Sequence, residues 1–288
     1  MTLQGRVVVI SGANRGLGLA ISTACAREGA SVLMGARDRA ELEKAGAQVK
    51  AAAQAGAKIH WQVLDVSQAA SVKALAATAE SLWPHVDALV NNAGIYGPMG
   101  SLADLDWDAW EEAIRINLFG ALHMCRAFIP SLRRSKRGKI INLSGGAATQ
   151  GMQGLSSYGA SKAALVRVTE TLALEEPGLD VNAVAPGALN TRLLGELLSA
   201  GPEKVGKAFY EKSLKQRDQG GTSPEVAAGM IAWMASEQSD GVSGRLLSAV
   251  WDPWKELPAR REELAASDVY TLRRIVPADR GKDWGEPK

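Results

Sequence analysis

Cysteine and histidine are scarce in this chain. Its 288 residues hold only Cys25 and Cys125, with His60, His85 and His123. Both cysteines fall in stretches that read as helix, which excludes a disulfide framework, and the irregular histidine spacing offers no metal cluster. Charge of one sign is also lacking. The 33 Lys and Arg oppose 31 Asp and Glu, a formal net of +2, too little to argue for nucleic acid or an anionic membrane as partner. No apolar run approaches the ~18 residues that span a bilayer. The first apolar stretch is shorter than a secretory core of ~7–15 residues. These absences lead to the expectation of a cytoplasmic protein with reduced thiols and no metal.

What is present is ordinary globular material, 46% hydrophobic and 22% charged. Short apolar, β-branched runs at 6–10, 31–35, 59–64, 87–91, 138–143, 179–184 and 245–250 alternate with helical stretches. Alternation of this kind predicts right-handed βαβ crossovers. The expected fold is therefore α/β: a single doubly wound, Rossmann-type domain over 1–250, with a seven-stranded parallel sheet flanked by helices. Alanine-rich 40–57 and 69–81 read as covering helices. In such sheets a site lies beyond the carboxyl ends of the strands.

Two stretches carry chemistry. After the first strand comes Ser11-Gly12-Ala13-Asn14-Arg15-Gly16-Leu17-Gly18, then a helical segment from Leu19. Glycines at that junction allow a tight turn and close approach of a phosphate to the helix N-terminus. Further on, Tyr158 and Lys162 stand four residues apart, on one face of a helix and roughly 6 Å apart along its axis. A free phenol, with a pKa near ~10, is a poor proton-transfer group. An ammonium beside it favours the phenolate.

Together these stretches resemble the short-chain dehydrogenase/reductase family. Ser11-Gly12-x-x-x-Gly16-x-Gly18 is similar to its cofactor turn. Asp65-Val66 looks like its adenine-contacting pair, and Asn91-Asn92-Ala93-Gly94 like the signature after its fourth strand. Asn117 sits where the family keeps a helix-interrupting catalytic Asn. Tyr158-x-x-x-Lys162 matches the catalytic pair, and Pro186-Gly187 with Thr191 matches the segment at the nicotinamide end. The likeness covers about residues 4 to 250.

The resemblance implies hydride transfer between a nicotinamide and a carbonyl carbon, on a small ketone or alcohol substrate. It implies catalytic roles for Asn117, Ser144, Tyr158 and Lys162. Tyr158 would exchange the proton, Lys162 would also hold the nicotinamide ribose, and Asn117 would hold a water that links Lys162 to solvent. Ser11, Gly12, Asn14, Arg15, Gly16, Leu17 and Gly18 would cradle the cofactor phosphates. Asp65 and Val66 would meet the adenine, Asn91, Ala93 and Gly94 the adenosine ribose side, and Pro186, Gly187, Leu189 and Thr191 the nicotinamide. NADP(H) is the expected cofactor, with NAD(H) as the alternative. Ala36 stands where NAD-preferring relatives carry an acid, and Arg37 and Arg15 match basic positions of NADP-preferring ones.

Two departures stand out. The family's catalytic Ser lies thirteen residues before the Tyr, where this chain has Gly145. Ser144 is one place early, and adjacent strand residues face opposite ways. A bulge at Gly145-Gly146 would re-aim Ser144; Thr149, Ser156 and Ser157 are the other hydroxyls at hand. The chain also runs on past the last strand, and 251–288 is rich in large apolar residues such as Trp251, Trp254, Leu257, Leu264, Tyr270 and Ile275. That composition predicts an ordered extension, helical over 259–266, packed on its own domain or on a neighbouring subunit.

The leading expectation is an NADP(H)-dependent carbonyl reductase or alcohol dehydrogenase. An NAD-linked sugar or polyol dehydrogenase is the enzymatic alternative, and a dinucleotide-binding scaffold without catalysis is the alternative that Gly145 suggests. Residues 188–222 would form a lid, whose interspersed acids and bases read as a solvated face. Apolar residues on several sides of helices near 107–134 and 157–176 predict a homodimer or homotetramer.

Overall fold

The computed structural model describes residues 2–285. The strands are β1 (Val7–Ser11), β2 (Ser31–Ala36), β3 (Ile59–Val63), β4 (Ala88–Asn91), β5 (Gly138–Leu143), β6 (Leu179–Ala185) and β7 (Leu246–Ser248). They form one seven-stranded sheet in the order β3-β2-β1-β4-β5-β6-β7, with every pairing parallel. Strand order reverses between β1 and β4, and a crevice for ligands opens at such a switch point.

Alternation along each strand divides the core. Val8 and Ile10 of β1 and Val32 and Met34 of β2 face one layer. That layer contains α1 (Gly16–Arg27), α2 (Arg39–Ala52) and α10 (Pro224–Met234). Val7, Val9 and Leu33 face the other. It contains α3 (Ala69–Leu82) and α5 (Gly120–Leu132), where Val72, Leu75, Met124 and Phe128 are buried.

The long helix expected over 107–134 is interrupted. α4 (Trp107–Ile114) passes through a π turn at Arg115–Phe119 before α5 resumes the regular spiral. Single π turns inside helices mark functional positions, and this one contains Asn117. The second long helix, α6 (Ser156–Glu175), is unbroken. After β6 the lid is built from α7 (Arg192–Ala200), α8 (Pro202–Val205) and α9 (Lys207–Gln219). Its charges pair locally, Arg192 with Glu196 at 2.8 Å and Arg217 with Asp218 at 2.7 Å, as a solvated face should.

At the amino ends of the strands, Lys139 is buried against Asp180 (2.6 Å) and Asp240 (2.5 Å), and Arg137 also holds Asp180. The paired charges brace the end of the sheet away from the crevice.

Beyond β7 the described residues, to Gly285, run on from the sheet, and several of them pack on the domain. A 3-10 segment (Trp254–Arg260) leads into α11 (Arg261–Ala265), so the helix expected over 259–266 is shorter and begins in tighter coils. Leu257 and Leu264 are buried, and Trp254 packs on Trp233 of α10 at 5.1 Å between rings. The buried Arg245 guanidinium donates to the carbonyls of Leu264, Ser267 (3.0 Å) and Val269 (2.9 Å). The Leu272 amide donates to Glu170 of α6, and the Leu246 amide of β7 donates to the Tyr270 carbonyl. Arg273 pairs within the tail, with Asp268 and Asp279. Trp254 and Arg273 are thus structural members of a strap, and Trp251 is 82% exposed. Among the described residues no helix is long and apolar enough to cross a membrane.

Candidate active site

The glycine turn is shaped by contacts too close for a side chain. A Cβ on Gly18 would lie 2.1 Å from the Gly12 carbonyl oxygen, and one on Gly12, at φ +65, would lie 2.9 Å from the Ala93 Cα. These two glycines pack the turn against α1 and the chain after β4. Gly16 differs: at φ +52, the nearest atom to its absent Cβ is the Thr191 methyl at 3.8 Å. The turn and the 186–191 segment therefore face each other. α1 begins here with no side chain capping it. Its first amides are free to meet an anion. The site fits a dinucleotide phosphate.

Ser11 braces the turn, its hydroxyl accepting from the Asn92 (3.1 Å) and Ala93 (3.2 Å) amides. Asn92 donates back to the Ser11 and Gly12 carbonyls, 3.0 Å each. Asn91 does not line the ribose as expected. It is 4% exposed, with its amide on Asn142 at 2.8 Å and on Cys125. Because alternate strand residues face opposite layers, Asn92 is the one turned toward the glycines. Asp65 accepts from the Ser67 amide and hydroxyl, and the Val66 carbonyl meets His123. Asn14 and Arg15 both reach Glu41 of α2, at 2.6 and 2.9 Å. Arg37 is exposed and, among the described residues, forms no ion pair, since Asp38 caps α2 through the Glu41 amide.

Gly187, at φ +93, is closed in by Val250 and Thr222, and Leu189 bridges to Thr222. Pro186 precedes this bend, which brings Thr191 over Gly16.

Tyr158 and Lys162 lie on α6 as their spacing requires, the ammonium 5.7 Å from the phenol ring centre. Lys162 is buried, donates to the Leu143 carbonyl at 2.6 Å, and is pushed down to about 8 by burial. Burial raises the Tyr158 phenol above its ordinary value, with Tyr96 as the second cause. The lowering of Tyr158 expected from Lys162 is not seen; both causes at work raise it. Among the described residues no group hydrogen-bonds the Tyr158 hydroxyl.

Asn117 is 1% exposed and clamps Ile95, accepting from its amide and donating to its carbonyl, both at 2.8 Å. Its other amide hydrogen goes to Ser161 at 3.1 Å. Only oxygen lone pairs remain for the water expected of it. Gly94 lies behind this clamp; a Cβ there would sit 3.5 Å from the Lys162 ammonium.

Ser144 is not re-aimed. Gly145 is extended, at φ 176 and ψ 174, and its absent Cβ points at the Tyr158 hydroxyl from 3.0 Å. Ser144 lies on the opposite side of the chain, its hydroxyl sealed and without a partner. Two of the other hydroxyls donate within the protein, Thr149 to the Gly146 carbonyl and Ser157 to the Tyr96 carbonyl, while Ser156 accepts from the Trp110 indole at 3.0 Å. The residue that sequence reading missed is Tyr96, whose ring stands edge-on to Tyr158 with centres 4.7 Å apart. Only its nearness in sequence to Asn91-Asn92-Ala93-Gly94 could have drawn attention to it.

A parallel sheet with this strand order, a glycine turn at the switch point and a half-buried Tyr158 one turn from a buried Lys162 define a Rossmann-type oxidoreductase. The chain belongs to the short-chain dehydrogenase/reductase family: the short chain dehydrogenase family model matches residues 6–200. It is 37% identical over 249 residues to 3beta-hydroxysteroid dehydrogenase 1 of Eggerthella lenta, covering 85% of this chain and 92% of that protein. It is 32% identical over 250 residues to the 3-oxoacyl-acyl-carrier-protein reductase FabG of Thermotoga maritima, covering 86% and 97%. Among solved structures, actinorhodin polyketide ketoreductase with NADPH superposes with a TM-score of 0.76 at 27% identity, over 86% of this chain and 97% of that one.

Proposed function

We propose that this chain is an NADP(H)-dependent carbonyl reductase, interconverting a ketone and a secondary alcohol. The observation that carries the reading is Tyr158: a half-buried phenol with an unpartnered hydroxyl, one helical turn from a buried ammonium. The relatives named as a ketoacyl reductase and a hydroxysteroid dehydrogenase support a carbonyl or alcohol substrate. The cofactor, when bound, supplies or accepts the hydride at the substrate carbon.

The amides from Gly12 to Gly18 would hold its phosphates, Asp65 and the Val66 amide its adenine, and Ala93 and Gly94 the adjoining ribose. Lys162 and the 186–191 segment would hold the nicotinamide end. The free guanidinium of Arg37 supports a 2′-phosphate, because Arg pairs with phosphate through charge-assisted hydrogen bonds. The raised phenol keeps Tyr158 protonated near neutral pH, as a proton donor to a carbonyl oxygen must be. Lys162, near 8, can pass a proton onward at that pH. Loss of the near-ultraviolet absorbance of NADPH on a ketone panel tests the proposal, and tight cofactor binding without turnover would point to a scaffold instead.

The NAD-linked polyol dehydrogenase reading draws on Glu41, which occupies Arg15; a higher kcat/KM with NAD and polyols than with NADPH and ketones would establish it. We infer a homodimer as well. Trp107, Phe119 and Leu174 leave apolar surface exposed on α4, the π turn and α6. Light scattering checks this, and a monomer at micromolar concentration would refute it.

A further inference from the structure

A carbonyl oxygen that gains negative charge during reduction is best met by donors already in place. Tyr158 supplies one. The wall beside its hydroxyl is Gly145, whose missing Cβ leaves that side without a donor. Ser144 is sealed away, Thr149, Ser157 and Ser161 donate within the protein, and Ser156 is turned to the Trp110 indole, from which it accepts.

The hydroxyl-bearing ring packed on Tyr158 is that of Tyr96. Among the described residues the Tyr96 phenol has no hydrogen-bond partner, and its ring meets that of Tyr158 edge-on, 4.7 Å between centres. Its backbone is fixed on two sides. Asn117 holds the preceding Ile95 at both amide and carbonyl, and Ser157 donates to the Tyr96 carbonyl at 3.3 Å. Glu196 of helix α7 is, after burial, the second cause of the raised Tyr96 pKa. Tyr96 is thus packed on Tyr158 and close enough to α7 to feel its charge.

We propose that the Tyr96 hydroxyl donates the second hydrogen bond to the substrate carbonyl oxygen, filling the role left open at Gly145. The inference rests on the carbonyl reductase reading. In that reaction the carbon gains hydride from a reduced nicotinamide, and the oxygen gains the Tyr158 proton. Tyr96 keeps its proton throughout and only shares it. The clamp by Asn117 gains a purpose here, since it fixes the chain one residue before the donor.

The test is Tyr96→Phe, which keeps the ring and its packing. Removing one such donor lowers kcat by about a hundredfold. NADPH affinity and thermal midpoint should stay at wild-type values, because the ring still fills its place. Unchanged kcat in Tyr96→Phe would overturn the proposal. So would a loss of kcat matched by a fall in midpoint and cofactor affinity, which would mark a packing role. A wild-type protein that turns over no ketone would instead overturn the reading beneath it, and this inference with it.

Discussion

Glu41 holds Arg15 at 2.9 Å across the mouth of the glycine turn and takes Asn14 at 2.6 Å with the same carboxylate. One of the two cations expected to meet a 2′-phosphate is thus already engaged by an acid, and Arg37 is left as the free one. Under the proposed reading, discrimination between the two nicotinamide cofactors would become a competition for Arg15.

Glu41→Gln should therefore tighten NADPH several-fold and leave NADH nearly unchanged. Arg37→Ala should weaken NADPH by about ten- to a hundredfold, the usual worth of one charge-assisted hydrogen bond. Fluorescence titration with both cofactors reads each effect. Equal changes for NADPH and NADH would refute the assignment.

Tyr158→Phe should remove turnover while leaving the cofactor constant almost intact, since only the transferable proton is lost. General acid catalysis of this type is worth about 10²–10⁴ in rate. Single-turnover kinetics with prebound NADPH would separate this from a binding defect.

Lys162 makes a pH prediction with a definite sign. Its ammonium is lowered from an ordinary 10.5 to about 8 by burial. Between those values the unfolded chain binds more protons than the folded one, so stability from this group rises with pH across that window. It is fully present above 10.5 and lost as pH falls through 8. The change amounts to about 3 kcal/mol. Urea denaturation of wild type and Lys162→Met at pH 7 and pH 10 should show wild type gaining on the variant at the higher pH. A constant difference would sink this.

Truncation after Val250 should destabilise the domain by several kcal/mol. It uncovers the side chains that Leu257 and Leu264 pack against, and it strips Arg245 of three carbonyl acceptors. A buried charge that loses its partners costs ~3–5 kcal/mol, and each buried Leu adds ~1.5–3 kcal/mol. A truncated protein with an unchanged denaturation midpoint would refute the strap.

Much of the fold was legible because its signals are local. The β-branched run at 7–10 can be buried on both faces only as a central parallel strand. The spacing of Tyr158 and Lys162 fixes them on one helical face. What escaped depended on direction and distance. Asn91 and Asn92 are the same residue type at adjacent places, and only the strand's phase against β5 decides which one turns inward. Ser144 and Gly145 pose the same problem of phase, resolved by an extended Gly145 without a bulge. Tyr96 gains its place from a clamp by Asn117 and a ring on α6, both remote in sequence. The π turn at 115–119 is legible only through the helix-interrupting place that the resemblance gives Asn117, since nothing in Arg115-Ile116-Asn117 departs from ordinary helix composition.

The tail carbonyl of Tyr270 accepts the Leu246 amide on the outer side of β7. That margin of the sheet is finished by the chain itself. A second copy cannot lengthen the sheet there by adding its own strand, which is how unprotected edges recruit one another. Growth in that direction is closed, so copies that associate at this end must meet through side chains, and a protein that lost its strap would regain an adhesive border.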